Sequence, residues 1–191
     1  MLRPEQVRIL KGALYRLVAK VAREPRTSED WSISFLLYVH KELFKNVVAE
    51  HAGKLRQTEV TFRNHAVATP GQIPYRLSDL VKDAQDIIAQ AHSIVDEEER
   101  IEAIFPRIAR FHADCIVVQP FIDGNKRWAR LVLSALLVDC RFWPGTRIEA
   151  SEQVRYMEAI DKAVAGDPEQ LADLILEGWL CLEQDFSSGS Y

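Results

Sequence analysis

Apolar residues recur along most of this chain with the three-to-four-residue period of an α-helix. Leu10, Ala13, Leu14, Leu17, Val18 and Val21 fall on one stripe, with Arg8, Lys11, Arg16 and Lys20 mostly off it. The pattern predicts an N-terminal helix within residues 1–26, packed on the core and turning a basic back to water. Thr27-Ser28-Glu29-Asp30 has the Thr-x-x-Asp form of a capping box. It predicts the start of a second helix carrying Ile33, Leu36, Leu37, Leu43, Phe44 and Val47. Ser78 is placed to cap a third, with Leu80, Val81, Ala84, Ile87, Ile88, Ala91 and Ile94 on its face. A fourth runs from about Glu98 to Val118, and Pro106 should kink it or mark a new start. The densely apolar segment from Asn125 to about Arg141 predicts a central helix. Ser151 starts a helix that Gly166 ends, and Asp167-Pro168 supplies a cap and an N1 proline for the last one.

Between about His51 and Pro74 the period changes. Thr58-Glu59-Val60-Thr61-Phe62 alternates and is β-branched, Arg63-Asn64-His65 reads as a turn, and Ala66-Val67-Ala68-Thr69 as a return strand. A short β-hairpin is expected there, then a loop with Pro70-Gly71 and Pro74. The fold class expected is mostly α with one short hairpin, in a single domain over residues 27–186. Ser187-Ser188-Gly189-Ser190 reads as part of a frayed end over 187–191.

Composition narrows the function. The 191 residues carry a formal charge of −4, which disfavours a general nucleic-acid-binding face. The charge is uneven: residues 1–26 hold seven Lys/Arg against two Asp/Glu, a local +5 that leaves −9 for the rest. No apolar run approaches the roughly 18 residues that cross a bilayer, and the N-terminus lacks a secretory apolar region, so no stable membrane association is expected. Cys115, Cys140 and Cys181 are far apart and form no CxxC, as expected of thiols in a reducing cytosol. His40, His51, His65 and His92 show no metal-ligand spacing.

The chemistry concentrates in Gln119-Pro120-Phe121-Ile122-Asp123-Gly124-Asn125-Lys126-Arg127-Trp128-Ala129-Arg130, between two apolar helical segments. Gly124 permits a backbone conformation that other residues resist, and Asn125 opens the following helix, whose free N–H groups favour an anion. Lys126, Arg127 and Arg130 add three cations, and Asp123 is the one carboxylate among them. A carboxylate beside a polyanion cradle suits a Mg²⁺ shared with phosphates. On spacing alone, a di- or triphosphate site and a plain Gly-containing turn with solvated basic residues remain equal alternatives. Trp128 and Trp143 are expected to be packing residues.

This stretch resembles the Fic (filamentation induced by cAMP) signature, His-x-Phe-x-(Asp/Glu)-Gly-Asn-Gly-Arg-x-x-Arg, and matches it at Phe121, Asp123, Gly124, Asn125, Arg127 and Arg130. Ala52-Gly53-Lys54-Leu55-Arg56 resembles the segment preceding that family's β-hairpin flap. His112 resembles a histidine of the preceding helix, and Tyr156, Ala159 and Gly166-Asp167 resemble the final helices. The resemblance spans roughly residues 30–180 and implies a mostly helical Fic-type bundle that moves AMP from ATP onto a protein hydroxyl. It implies that Asp123 holds Mg²⁺, that Gly124 and Asn125 build the anion hole, and that Arg127 and Arg130 reach the outer phosphates. A target protein would dock along the flap at 57–69. The resemblance also implies an antitoxin or other inhibitory partner, and a cytoplasmic protein or one delivered into a host cell as an effector.

Two positions depart from the signature. Gln119 stands where the family has its catalytic His, and an amide has no usable proton affinity at neutral pH. Lys126 stands where most members have Gly, which resembles the death-on-curing (Doc) branch, whose members phosphorylate their targets. The expectation is a transferase with a degenerate motif; the alternative is a nucleotide-binding pseudoenzyme acting as an interaction module. His112 is expected to be a buried, hydrogen-bonded histidine rather than a substitute base. The family's inhibitory sequence, (Ser/Thr)-x-x-x-Glu-(Gly/Asn), has its nearest match at Asp173-Leu174-Ile175-Leu176-Glu177-Gly178, within what reads as ordinary final helix.

Overall fold

The structure, a computed structural model, describes residues 3–148 and 152–187. Among them are seven helices: α1 (Pro4–Arg23), α2 (Ile33–Phe44), α3 (Ile73–Ser93), α4 (Glu97–Val118), α5 (Asn125–Asp139), α6 (Gln153–Val164) and α7 (Glu169–Ser187). The hairpin of α4 and α5 is the centre. α5 is buried along almost its whole length, as its continuous apolar sequence requires. α4 packs against α3, α5, α6 and α7, while α1 lies on α2 and α5. The contact side of α1 is Leu10, Ala13, Leu17 and Val21, all buried, whereas Val18 faces water. No helix among the described residues is long and apolar enough to cross a membrane.

Several boundaries differ from the sequence pattern for local reasons. The Thr27–Asp30 box forms, with Thr27 N donating to Asp30 Oδ2 at 2.8 Å, yet it closes only a 3-10 turn over Ser28–Asp30. Trp31 then takes an extended conformation and donates its indole N–H to Asp139 at 2.8 Å. The helix restarts at Ile33, where Ser32 Oγ accepts from Phe35 N at 3.1 Å. α3 begins at Ile73 rather than at Ser78, because Pro74 occupies the first turn, where a missing N–H costs nothing. α4 runs through Pro106 without a break. The carbonyl left without its donor is that of Glu102, an exposed residue, so water can take the bond. α5 ends at Asp139, two residues early, with Arg141 left-handed and Phe142 N donating to Leu137 O at 2.8 Å. Gly166 closes α6 as expected: its φ is +107°, and Asp167 N reaches back to Lys162 O at 3.0 Å. Ser151 and residues 188–191 lie outside the described residues, and Ser187 is still helical.

The expected β-hairpin flap is absent. Residues 57–69 form a loop with one antiparallel bridge, Phe62 to His65, and no ladder. The carbonyls of Thr58 and Ala68, one on each leg, accept from the Arg56 guanidinium instead of facing each other. At the tip, Arg63 and His65 both reach Asp161 of α6 at 2.7 Å. Side-chain anchors have replaced the strand ladder, which in an isolated two-stranded unit is marginal anyway.

Candidate nucleotide site at the start of α5

The site grows from the turn between the two central helices. α4 stops at Gln119, which adopts φ 46° and ψ 57°, a left-handed conformation uncommon outside glycine. The chain reverses there. Phe121 is buried and stacks on His40 with ring centroids 3.6 Å apart. Asn125 then closes the turn: its Oδ1 accepts from Phe121 N at 2.9 Å, and its Nδ2 donates to Phe121 O at 2.8 Å and to Gln119 Oε1 at 3.1 Å. Its side chain thus laces residues 119–125 together rather than facing outward. The Gln119 amide is engaged at both ends, since its Nε2 also donates to Ile116 O at 2.5 Å.

Gly124 is the N-cap of α5, with φ +82° and no side chain to occupy the free N–H groups of the first turn. A β-carbon there would overlap the ring of Phe44. The buried ring of Phe44 packs against this turn: it stacks on His40 at 4.6 Å, and the Arg127 guanidinium lies over it at 5.4 Å. Phe62, Gln119, Ile122, Asp123, Gly124, Asn125, Lys126 and Arg127 line a cleft of about 270 Å³. The Lys126 ammonium sits 5.7 Å from the Phe62 ring, so this cation bridges the motif and the flap loop.

Arg130 does not line this cleft. Its guanidinium lies 4.7 Å over the ring of Tyr156, whose hydroxyl shares a 2.7 Å hydrogen bond with His112 Nε2. His112 is fully buried, as expected. Burial first, and Arg130 second, push its pKa down to about 3, so it is neutral and enclosed rather than a base at the cleft. Arg127 Nη1 and Arg130 Nε are both buried without a hydrogen-bond partner.

Two residues that sequence reasoning did not assign hold the turn in place. His40 Nδ1 accepts from Gly53 N at 2.9 Å, which puts the ring proton on Nε2, the donor to Asp123 O at 3.0 Å. Burial pushes its pKa down to about 4, against the opposing pull of Asp123. Arg56, buried within the Ala-Gly-Lys-x-Arg segment, donates through Nε to Gln119 O at 2.6 Å and through its other nitrogens to Thr58 and Ala68. Its backbone N also donates to Pro120 O at 3.0 Å. Spacing could not reveal either role, because the partners are backbone groups and, Thr58 apart, lie twelve or more residues away.

Trp128 is a packing residue, with its indole donating to Leu36 O at 2.9 Å. Trp143 is half exposed and contributes its carbonyl, which accepts from Trp179. Glu177 is not paired with Arg130. It makes a two-point ion pair with Arg155, at 2.8 and 2.9 Å, and a β-carbon on Gly178 would meet the Arg147 carbonyl and Thr146 Oγ1. The Glu-Gly of α7 is therefore a packing feature.

The sequence model of the Fic/DOC family matches residues 30–137, more than half of the chain. The protein adenylyltransferase fic-1 of Caenorhabditis briggsae is 27% identical over 136 residues, covering 71% of this chain and 25% of that protein. The protein adenylyltransferase Fic of Nematostella vectensis is 26% identical over 140 residues, covering 73% of this chain and 30% of its own length. The chain thus spans about a quarter of the length of the first curated relatives it matches. Among solved structures, Fic-1 from C. elegans (residues 134–508) superposes with a TM-score of 0.69 at 23% identity, over 95% of this chain and 50% of that one. The BepC effector of Bartonella tribocorum, solved with bound AMPPNP, gives a TM-score of 0.64 at 19% identity, over 91% and 86%. With the signature residues gathered at one helix start in a matching helical fold, the chain belongs to the Fic/DOC family.

Proposed function

We propose that this protein binds a nucleoside triphosphate with Mg²⁺ in the cleft at the start of α5 and transfers a nucleotidyl or phosphoryl group to a protein hydroxyl, slowly, because position 119 carries an amide. The observation that carries the reading is Arg127 Nη1, a buried guanidinium nitrogen of a cleft-lining residue that has no hydrogen-bond partner. A buried donor left unpaired costs about 1–3 kcal/mol, and more when charged, so the site suits an anion. The uncapped first turn of α5 adds backbone donors and the favourable end of the helix dipole.

The residues present fit a Mg²⁺ that depends on the phosphates. Asp123 is an exposed carboxylate at the rim. Among the described residues no group of three or more His, Cys, Asp or Glu could hold a metal by itself. Asp123 with phosphate oxygens would complete the coordination, and Mg²⁺ would supply charge neutralisation there. Arg127 would hold the outer phosphates, as the resemblance implies, and Lys126 adds a cation where most members have Gly. In the transfer, the target hydroxyl oxygen bonds to phosphorus while the bridging P–O bond of the donor breaks. Attack at the α-phosphorus releases pyrophosphate, and attack at the γ-phosphorus releases the diphosphate. Gln119 cannot take the hydroxyl proton, which leaves to water. Loss of a positioned base costs on the order of 10²–10⁴-fold, whereas the positioning and charge stabilisation that dominate phosphoryl transfer remain. The target segment would lie along residues 57–69, where a single bridge leaves backbone groups open to strand addition.

A second reading, a binding module that makes no bond, is favoured by the Gln119 amide being tied at both ends. Labelled ATP, GTP, CTP and UTP with Mg²⁺, followed by intact mass of native protein and Gln119→His, separates the two. Weak transfer by native protein, raised about 10²-fold or more by Gln119→His, supports the transferase. Nucleotide binding without any adduct on native protein supports the module. Absence of binding to all four nucleotides would sink both.

A further inference from the structure

We propose that Asp123 plugs the anion cradle from within: its own carboxylate holds the Gly124 N–H until a divalent cation draws it away, so that metal and phosphate bind as a coupled pair. The proposal rests on the nucleotide-binding reading above. Gly124 N donates to Asp123 Oδ1 at 2.6 Å. A full negative charge therefore occupies the entrance of α5, where a phosphate would sit.

The peptide between Asp123 and Gly124 is not free to turn away from this contact. Its carbonyl accepts from His40 Nε2 at 3.0 Å, and His40 is fixed by the Gly53 N–H and by the rings of Phe44 and Phe121 on either side. The following residue lies against Phe44. The N–H keeps its aim, and the mobile part is the Asp123 side chain, which is exposed and makes no ion pair among the described residues. A phosphate approaching without a metal competes with the carboxylate for one donor and meets its charge at close range. When the carboxylate turns toward a cation, its charge is neutralised and the Gly124 N–H is released to the phosphate. Linkage then requires the reverse effect as well, with phosphate raising the affinity for the metal by the same factor.

The test is calorimetry of pyrophosphate binding to native protein, Asp123→Ala and Asp123→Asn, first in EDTA and then with Mg²⁺. In EDTA, Asp123→Ala should bind pyrophosphate about tenfold more tightly than native protein, as expected for removing one charge beside the ligand. Asp123→Asn, which keeps an acceptor for the N–H but loses the charge, should fall between them. With Mg²⁺ the order should reverse in favour of native protein. The Gly124 amide proton resonance supplies a readout independent of affinity: Mg²⁺ should shift it in native protein and leave it in place in Asp123→Ala. If native protein binds with Mg²⁺ and loses that binding in Arg127→Ala, yet Asp123→Ala gains nothing in EDTA, the plug is wrong and the nucleotide site stands. If no protein binds under either condition, both fall together.

Discussion

The ring of Phe44 occupies the space that a β-carbon on residue 124 would need. Glycine at that position is thus required twice, by a φ of +82° and by a neighbour on another helix. Gly124→Ala should destabilise the protein by roughly 1–3 kcal/mol, through backbone strain and overpacking. Urea midpoints measure it. Phe44→Leu in the Gly124→Ala background should recover the packing part and leave the strain, so no recovery at all would contradict the close approach.

Removing Arg56 should loosen the flap and the motif together. Its guanidinium serves the carbonyls of Gln119, Thr58 and Ala68 from a buried position. Arg56→Ala leaves those acceptors unpaired, at a cost of roughly 2–4 kcal/mol. Hydrogen exchange followed by mass spectrometry should speed up across both 57–69 and 119–124. Faster exchange in 57–69 alone would show that the two segments are not coupled through this side chain.

Acid should weaken the fold through two neutral histidines. Burial holds His112 at about 3 and His40 at about 4, against 6.5 for an unperturbed imidazole. Both folded values lie below the unfolded value, so the unfolded state binds more protons in between. Their stabilisation is complete above about pH 6.5 and is lost as pH falls, to about 4 for His40 and about 3 for His112. Each adds up to about 1.4 kcal/mol per pH unit to the slope within its window. Urea midpoints of native protein and His112→Gln at pH 7, 6 and 5 test this. The variant should be weaker at pH 7 and show the shallower decline.

Glu177 should have no inhibitory role. Its carboxylate pairs with Arg155, and Arg130 lies over Tyr156. Glu177→Gln should leave ATP affinity within about twofold of native, the effect of a largely exposed pair being small. A rise of tenfold or more on calorimetry would mean that Glu177 does restrain the site.

The helical fold and the clustering of the signature residues at one helix start were legible in the chain itself. Apolar periodicity depends on neighbours three and four residues away, so the stripe of α1 and the density of α5 can be read directly. The signature from Phe121 to Arg130 is likewise a local feature, and the φ of Gly124 belongs to its own turn, whereas the close approach of Phe44 does not. Boundaries set by distant partners were not legible. Trp31 leaves its helix to reach Asp139, and the expected hairpin gives way to anchors on Arg56 and Asp161. Only the tertiary structure decided that Arg130 stands behind the cleft over Tyr156, that Asn125 turns inward, and that Gln119 is tied at both ends. It also decided which histidine supports the site, since His40 works through carbonyl and amide groups that have no side-chain signature. The physical reason is common to all these cases. Local sequence fixes the periodicity and backbone freedom of a segment, while the direction of a polar side chain is set by whichever groups the packing of the helices brings within its reach and leaves in need of a partner.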